Sequence, residues 1–236
     1  MSRRQAHTDR LYDLLDALAT ASGGPRVLSG TTRPTDWPTR GVYFFFEPGE
    51  VRAGGRPRVV RVGTHALTAT SRTTLWTRLS QHRGHLAGSN PGGGNHRGSI
   101  FRLHVGAALI TCGQVKGLPL SAWLSPEPLP EHRGAEGDCE RAVSAYISQM
   151  PVLWLEVPSR ADGTSDRGLV EATVIALLSR AAGGVDRASA GWLGHHAPNQ
   201  AIADSGLWNV RHVRDGYDPM VLECLAGYIQ QTTLPP

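Results

Sequence analysis

Leucines at positions 11, 14, 15 and 18 recur at the three- and four-residue spacing of one helix face, and Gly23-Gly24 follows them. The spacing predicts a helix over residues 8–22, capped by Thr8 and stopped by the glycine pair. Residues 41–46, GVYFFF, form an unbroken apolar and aromatic run, and residues 58–64, RVVRVGT, form a second β-rich run after a turn-rich connection. Together they predict an antiparallel hairpin. The period then changes to helical over 74–85, with Leu75, Arg78, Leu79 and His82 on one face. Residues 86–98 read as a Gly/Asn loop, Ser99 as the cap of a buried helix through Ile110, and 112–138 as irregular. A short helix is expected from Asp138 to about Gln149, a third strand over Pro151–Val157, and a strong helix over 168–182 after a polar loop. The tail from Ala188 is turn-rich, and Asp218-Pro219 opens a last helix to about Gln231. Helices and a hairpin sheet without regular βαβ alternation give an α+β fold: a three-stranded antiparallel sheet flanked by helices.

Composition narrows the picture. The chain has 236 residues, 40% of them hydrophobic, enough for a real core and against wholesale disorder. At ~150 residues per domain the length suits one elaborated domain. No apolar run approaches the ~18 residues of a membrane span, and the N-terminus lacks the apolar stretch of a secretory signal, so a cytoplasmic protein with no membrane partner is expected. Net charge is +4, carried almost entirely by arginine, since Lys116 is the sole lysine. That allows an anionic partner without demanding one. Cys112, Cys139 and Cys224 are odd in number and widely spaced, which suggests neither a disulfide framework nor a zinc ribbon.

Several polar residues interrupt these apolar faces. Glu171 precedes Val174, Ile175 and Leu178 by three, four and seven residues, so it lies on the core stripe of its helix. An inward carboxylate needs a metal, an arginine or helix amides as partner. Arg78 and His82 lie on the apolar side of theirs, and Tyr43 sits inside a strand. Singly, each has an ordinary structural explanation: helix dipole, snorkelling, core packing.

In order, these features resemble the GIY-YIG nuclease superfamily. Gly41-Val42-Tyr43 stands for GIY and Arg61-Val62-Gly63 for YIG, with arginine in place of the tyrosine. Arg78 matches the helix arginine, His82 the histidine that some restriction-type members carry four residues later, and Glu171 the metal carboxylate. For the asparagine that the family places after that helix, Asn199 and Asn209 are the candidates, and Asn209, embedded between apolar residues, is preferred. The resemblance covers residues 41–210, with an insertion at about 86–150, preceded by a helix and linker in 1–40 and followed by a C-terminal helix in 211–236 packed on the same domain.

The resemblance implies metal-dependent hydrolysis of DNA phosphodiester bonds, in restriction or phage defence. Tyr43 would be the general base, with Arg61 or Arg78 favouring its phenolate. Arg78 would grip a phosphate oxygen with its planar fork. Glu171 would hold one Mg²⁺ or Mn²⁺ per active site, mostly water-ligated. His82 and His65 would support the site or contact phosphate, and His96 and Arg97 in SNPGGGNHRG would grip the nucleic-acid backbone. One site nicks one strand, so double-strand cleavage calls for a homodimer or two successive events. Because Arg61 replaces a motif tyrosine, an inactive binding module is the alternative reading, and an unrelated α+β domain with a chance motif is a third.

Overall fold

The computed structural model describes residues 2–30, 33–68, 70–86, 90–158 and 165–232. The polar loop expected before residue 168 falls mostly outside them, as does Ser89 of the Gly/Asn loop. Four antiparallel strands form one sheet: β1 (Arg26–Val27), β2 (Gly41–Val51), β3 (Pro57–Gly63) and β4 (Pro151–Glu156), in the order β1-β4-β2-β3. The expected three strands therefore become four, because the two-residue β1 pairs Arg26 with Val152 and Val27 with Pro151. Two residues are too few for a periodicity to announce them.

Eight α-helices are described: α1 (Arg3–Ser22), α2 (Leu75–Arg83), α3 (Ile100–Thr111), α4 (Leu120–Trp123), α5 (Arg133–Ser148), α6 (Asp166–Leu178), α7 (Gln200–Ser205) and α8 (Val221–Gln231). Successive β2 side chains alternate between two hydrophobic layers, as a pleated strand requires. Val42 and Phe44 join α1, α6 and α8 on one face. Tyr43 and Phe45 join α2, α3, α5 and the Trp192–Trp208 region on the other. Among the described residues no helix is long and apolar enough to cross a membrane.

Several boundaries move for physical reasons. The first helix begins at Arg3 with Ser2 as its cap, and Thr8 is buried in its interior. The last helix begins at Val221, two residues after Pro219, although the Asp218 carboxylate still accepts from the Met220 amide at 2.9 Å. The helix carrying Glu171 starts at Asp166, capped by Ser165, so Glu171 lies in its second turn, away from the terminal amides. Helix α5 starts at Arg133, not Asp138, because its inward stripe opens with Glu136 and Glu140. Each of those carboxylates is paired to an arginine, Glu136 with Arg97 and Glu140 with Arg102. Ser99 caps α3 as expected, accepting from the Arg102 amide.

Strand β3 is an edge of the sheet, and its free side is closed by the segment after α7. Register slips by one residue between Phe45↔Arg61 and Phe46↔Val59, which leaves Val60 as a bulge. The bulge carbonyl accepts from the Trp208 amide at 2.7 Å. One residue on, the Asn209 side chain behaves like a short added strand: Oδ1 accepts from Val62 N at 3.1 Å and Nδ2 donates to Val62 O at 2.8 Å. The edge is thereby covered rather than left open to another chain.

Candidate active site

A cleft of about 480 Å³ opens beside β3, lined among others by Tyr43, Arg61, Thr64, Arg78, His104, Glu171, Asn209, Arg211 and His212. Five residues expected at the site thus line one cleft: Tyr43, Arg61, Arg78, Glu171 and Asn209. His82 stands directly behind.

Tyr43 lies near the start of β2, an inner strand of the sheet, opposite Gly63 on one side and Trp154 on the other. It is 1% exposed, and its hydroxyl lies 2.9 Å from His82 Nε2. On its other side His82 Nδ1 is 2.8 Å from Ser99 Oγ. Burial, reinforced by the charges of Arg61, Arg78 and Arg102, holds the imidazole well below the usual histidine range. His82 is therefore neutral, with one ring nitrogen donating and the other accepting. When Nδ1–H donates to Ser99, Nε2 is the acceptor for the Tyr43 proton. A buried ion pair steadies this chain. Arg102 Nη1 donates to the His82 carbonyl at 2.9 Å while its Nε bonds Glu140 at 2.9 Å.

Arg61 projects from β3 into the same space. It is buried, its Nη1 donates to the Trp208 carbonyl, and its guanidinium carbon sits 4.7 Å above the Phe101 ring. Burial lowers its pKa, and Tyr43 and Glu171 oppose that shift. Arg78, on α2, is half-buried, with Nη1 3.1 Å from Gln81 Oε1.

Glu171 is half-buried on α6, and burial raises its pKa against the opposing pull of Arg61, His212 and Arg78. Its Oε1 accepts only a long hydrogen bond, 3.3 Å, from Thr64 N. Thr64 in turn ties the end of β3 to the start of β2, donating from Oγ1 to Gly41 O at 2.9 Å. A lone carboxylate with so little internal bonding suits a hard divalent cation that keeps most of its water. Among the described residues no group of three or more His, Cys, Asp or Glu side chains is gathered to hold a metal. Glu171 is the one carboxylate among the residues lining this cleft.

The two asparagine candidates separate. Asn209 lines the cleft and clamps β3, whereas Asn199 is exposed and caps α7 through the Ala201 amide. Three other expectations are corrected. His96 is buried, stacked on Trp123 at 3.7 Å between ring centres, with Nδ1 on Glu140 at 2.8 Å. Arg97 is bound to Glu136 and to the carbonyls of Ser125 and Glu127. Both hold the helical layer together instead of facing a nucleic acid. His65 is buried off the cleft wall, donating from Nδ1 to the Thr73 carbonyl at 2.9 Å, and burial lowers its pKa to about 4.

Sequence reasoning missed His104, Arg211 and His212. His104 was visible as a polar residue inside the apolar run FRLHV. It is buried, its Nε2 has no partner among the described residues, and burial lowers its pKa to about 4. Arg211 and His212 sit in a turn without periodicity, so nothing in the sequence distinguished them. The cleft therefore combines arginines at 61, 78 and 211 with one carboxylate, a charge balance suited to a polyanion.

A family description of the GIY-YIG domain matches residues 2–235. No curated protein and no solved structure matches the chain.

Proposed function

The chain belongs to the GIY-YIG family, and on that premise we propose that it is a metal-dependent endonuclease hydrolysing DNA phosphodiester bonds. The observation that carries the reading is the Tyr43–His82 contact at 2.9 Å, on the wall of a cleft that also holds Arg78 and Glu171.

Hydrolysis needs a base for the attacking water, positive charge against the phosphoryl oxygens and relief for the departing 3′ oxygen. Tyr43 takes the water proton as its own passes to His82 Nε2, a neutral acceptor. Arg78 binds a non-bridging oxygen through its planar fork. Arg61, held by Trp208 and Phe101, keeps a fixed cation beside Tyr43, the place that the family gives to a second tyrosine. Asn209 fixes β3 and hence the register of Arg61 and Gly63. Glu171 would hold one Mg²⁺ or Mn²⁺, which supplies positive charge for the leaving oxygen when bound.

The test is nicking of supercoiled plasmid in Mg²⁺ at low salt by the parent and by Glu171→Ala. Nicking by the parent alone supports the reading, and equal nicking by both overturns the metal role. DNA binding without cleavage by the parent would instead make it the inactive binding module. The finer proposals are tested separately: phage plating on cells carrying parent or Glu171→Ala for a defence role, and sedimentation of the protein–DNA complex for a homodimer.

A further inference from the structure

His212 is the second residue in the cleft whose setting prepares it for proton transfer. Its Nδ1 lies 2.7 Å from Asp215 Oδ2, and its Nε2 has no partner among the described residues. The carboxylate fixes ring orientation with Nδ1–H towards Asp215, so that in the doubly protonated ring Nε2–H is the proton left free to be given up. His212 also has left-handed backbone, φ 62°, one of two non-glycine residues so placed among the described residues. That conformation is costly for a residue with a β-carbon and persists only where the surroundings impose it. Two anchors impose it here. Asn209 is locked to Val62 on one side, and on the other the Val213 carbonyl accepts from Ser179 Oγ at 2.6 Å.

Neither His104 nor the arginines of the cleft can give up a proton at neutral pH. His104, with its pKa near 4, holds none at neutral pH, and arginines do not release theirs. Tyr43 and His82 are the accepting pair, buried in the fold. His212 is 38% exposed by side chain and so open to proton exchange with solvent. One cleft thus contains two proton-handling pairs in opposite environments, an arrangement that separates base from acid.

We propose that His212, oriented by Asp215, donates a proton from Nε2 to the departing 3′ oxygen. The inference rests on the endonuclease reading above. In the step, the water oxygen bonds to phosphorus and its proton goes to the Tyr43–His82 pair. The bond from phosphorus to the 3′ oxygen breaks, and that oxygen takes the Nε2 proton of the His212 imidazolium, which becomes the neutral Nδ1–H ring, giving a 5′ phosphate and a 3′ hydroxyl.

The experiment compares parent, His212→Asn and Asp215→Asn on a duplex whose cleavage position has been mapped with the parent. One version carries the ordinary linkage, the other sulfur in place of the bridging 3′ oxygen. A thiolate departs without protonation. On the oxygen substrate His212→Asn should lose about 10²-fold or more in single-turnover rate, with Asp215→Asn between it and the parent. On the sulfur substrate both variants should cut within a few-fold of the parent. Equal losses on the two substrates, or none on the oxygen substrate, would overturn the assignment. Weakened Mn²⁺ binding by His212→Asn in calorimetry, with equal losses, would make His212 a metal ligand instead. A parent that cuts neither substrate would overturn the endonuclease reading itself, a distinct result.

Discussion

The ring of Tyr43 lies across Gly63 so closely that a β-carbon on Gly63 would stand 2.2 Å from the phenolic oxygen and 2.3 Å from Cζ. The two residues are register partners in β2 and β3, so the tyrosine of the first motif run and the glycine of the second form one steric unit. Gly41 is constrained similarly, since its β-carbon would meet the Leu155 carbonyl oxygen of β4 at 2.4 Å. Gly63→Ala must displace the tyrosine or open the hairpin, and overpacking of this kind costs about 1–3 kcal/mol. In urea unfolding, Gly63→Ala combined with Tyr43→Ala should cost less than the two single effects added, because a small residue at 43 leaves room. Simple additivity would remove the steric link.

His65, His82 and His104 are all buried with lowered pKa values, to about 4 for His65 and His104. The unfolded chain takes up protons near 6.5, where the folded chain does not, so the unfolded state binds more protons below that pH. Stability is therefore lost as pH falls from about 6.5 towards 4, by up to about 1.4 kcal/mol per pH unit for each histidine. Urea midpoints measured between pH 7 and 4.5 should fall, and His104→Gln should reduce the slope. An unchanged slope in that variant would contradict the buried, neutral state of His104.

Glu171 carries the opposite sign. Burial raises its folded pKa, so above the ordinary carboxylate value the unfolded chain has released a proton that the folded chain still favours. Stability contributed by this group is lost as pH rises through that window. Glu171→Gln should abolish cleavage yet stabilise the fold at neutral pH, by on the order of 1 kcal/mol. A clear fall in Tm would show that the carboxylate serves the fold rather than the reaction.

The buried pair Arg102–Glu140 supports His82 from below. Arg102→Met leaves Glu140 without its main counter-charge and His82 without its carbonyl partner, and breaking such a pair costs about 3–5 kcal/mol. Chemical denaturation should show that loss. Near-parental stability would mean that the ion pair is dispensable.

Much of this architecture was legible in the sequence. Apolar runs and their spacing located β2, β3, β4, α2, α3 and α6 because each buries a face whose period the residues display. Tyr43, Arg61, Arg78, His82, Glu171 and Asn209 stood out because each interrupts an apolar face or motif. What escaped depends on long-range pairing. Strand β1 is defined only by β4, and the first turn of α5 hides its inward side behind Glu136 and Glu140. His96 and Arg97 looked like surface residues because the carboxylates that bury them lie some forty residues further along the chain. His212 gains its meaning from Asp215 and from anchors at Val62 and Ser179, none of which a local pattern records.

The most direct test is the single-turnover rate at which Tyr43→Phe cuts duplex DNA in Mg²⁺, measured beside its DNA affinity and Tm. Phenylalanine keeps the ring against Gly63 and removes only the hydroxyl that meets His82. Cleavage should fall by about 10²–10⁴-fold, with binding retained and stability lowered by about 1–3 kcal/mol, since His82 Nε2 is left buried without its partner. Cutting at the parental rate would contradict the role of Tyr43 as the base.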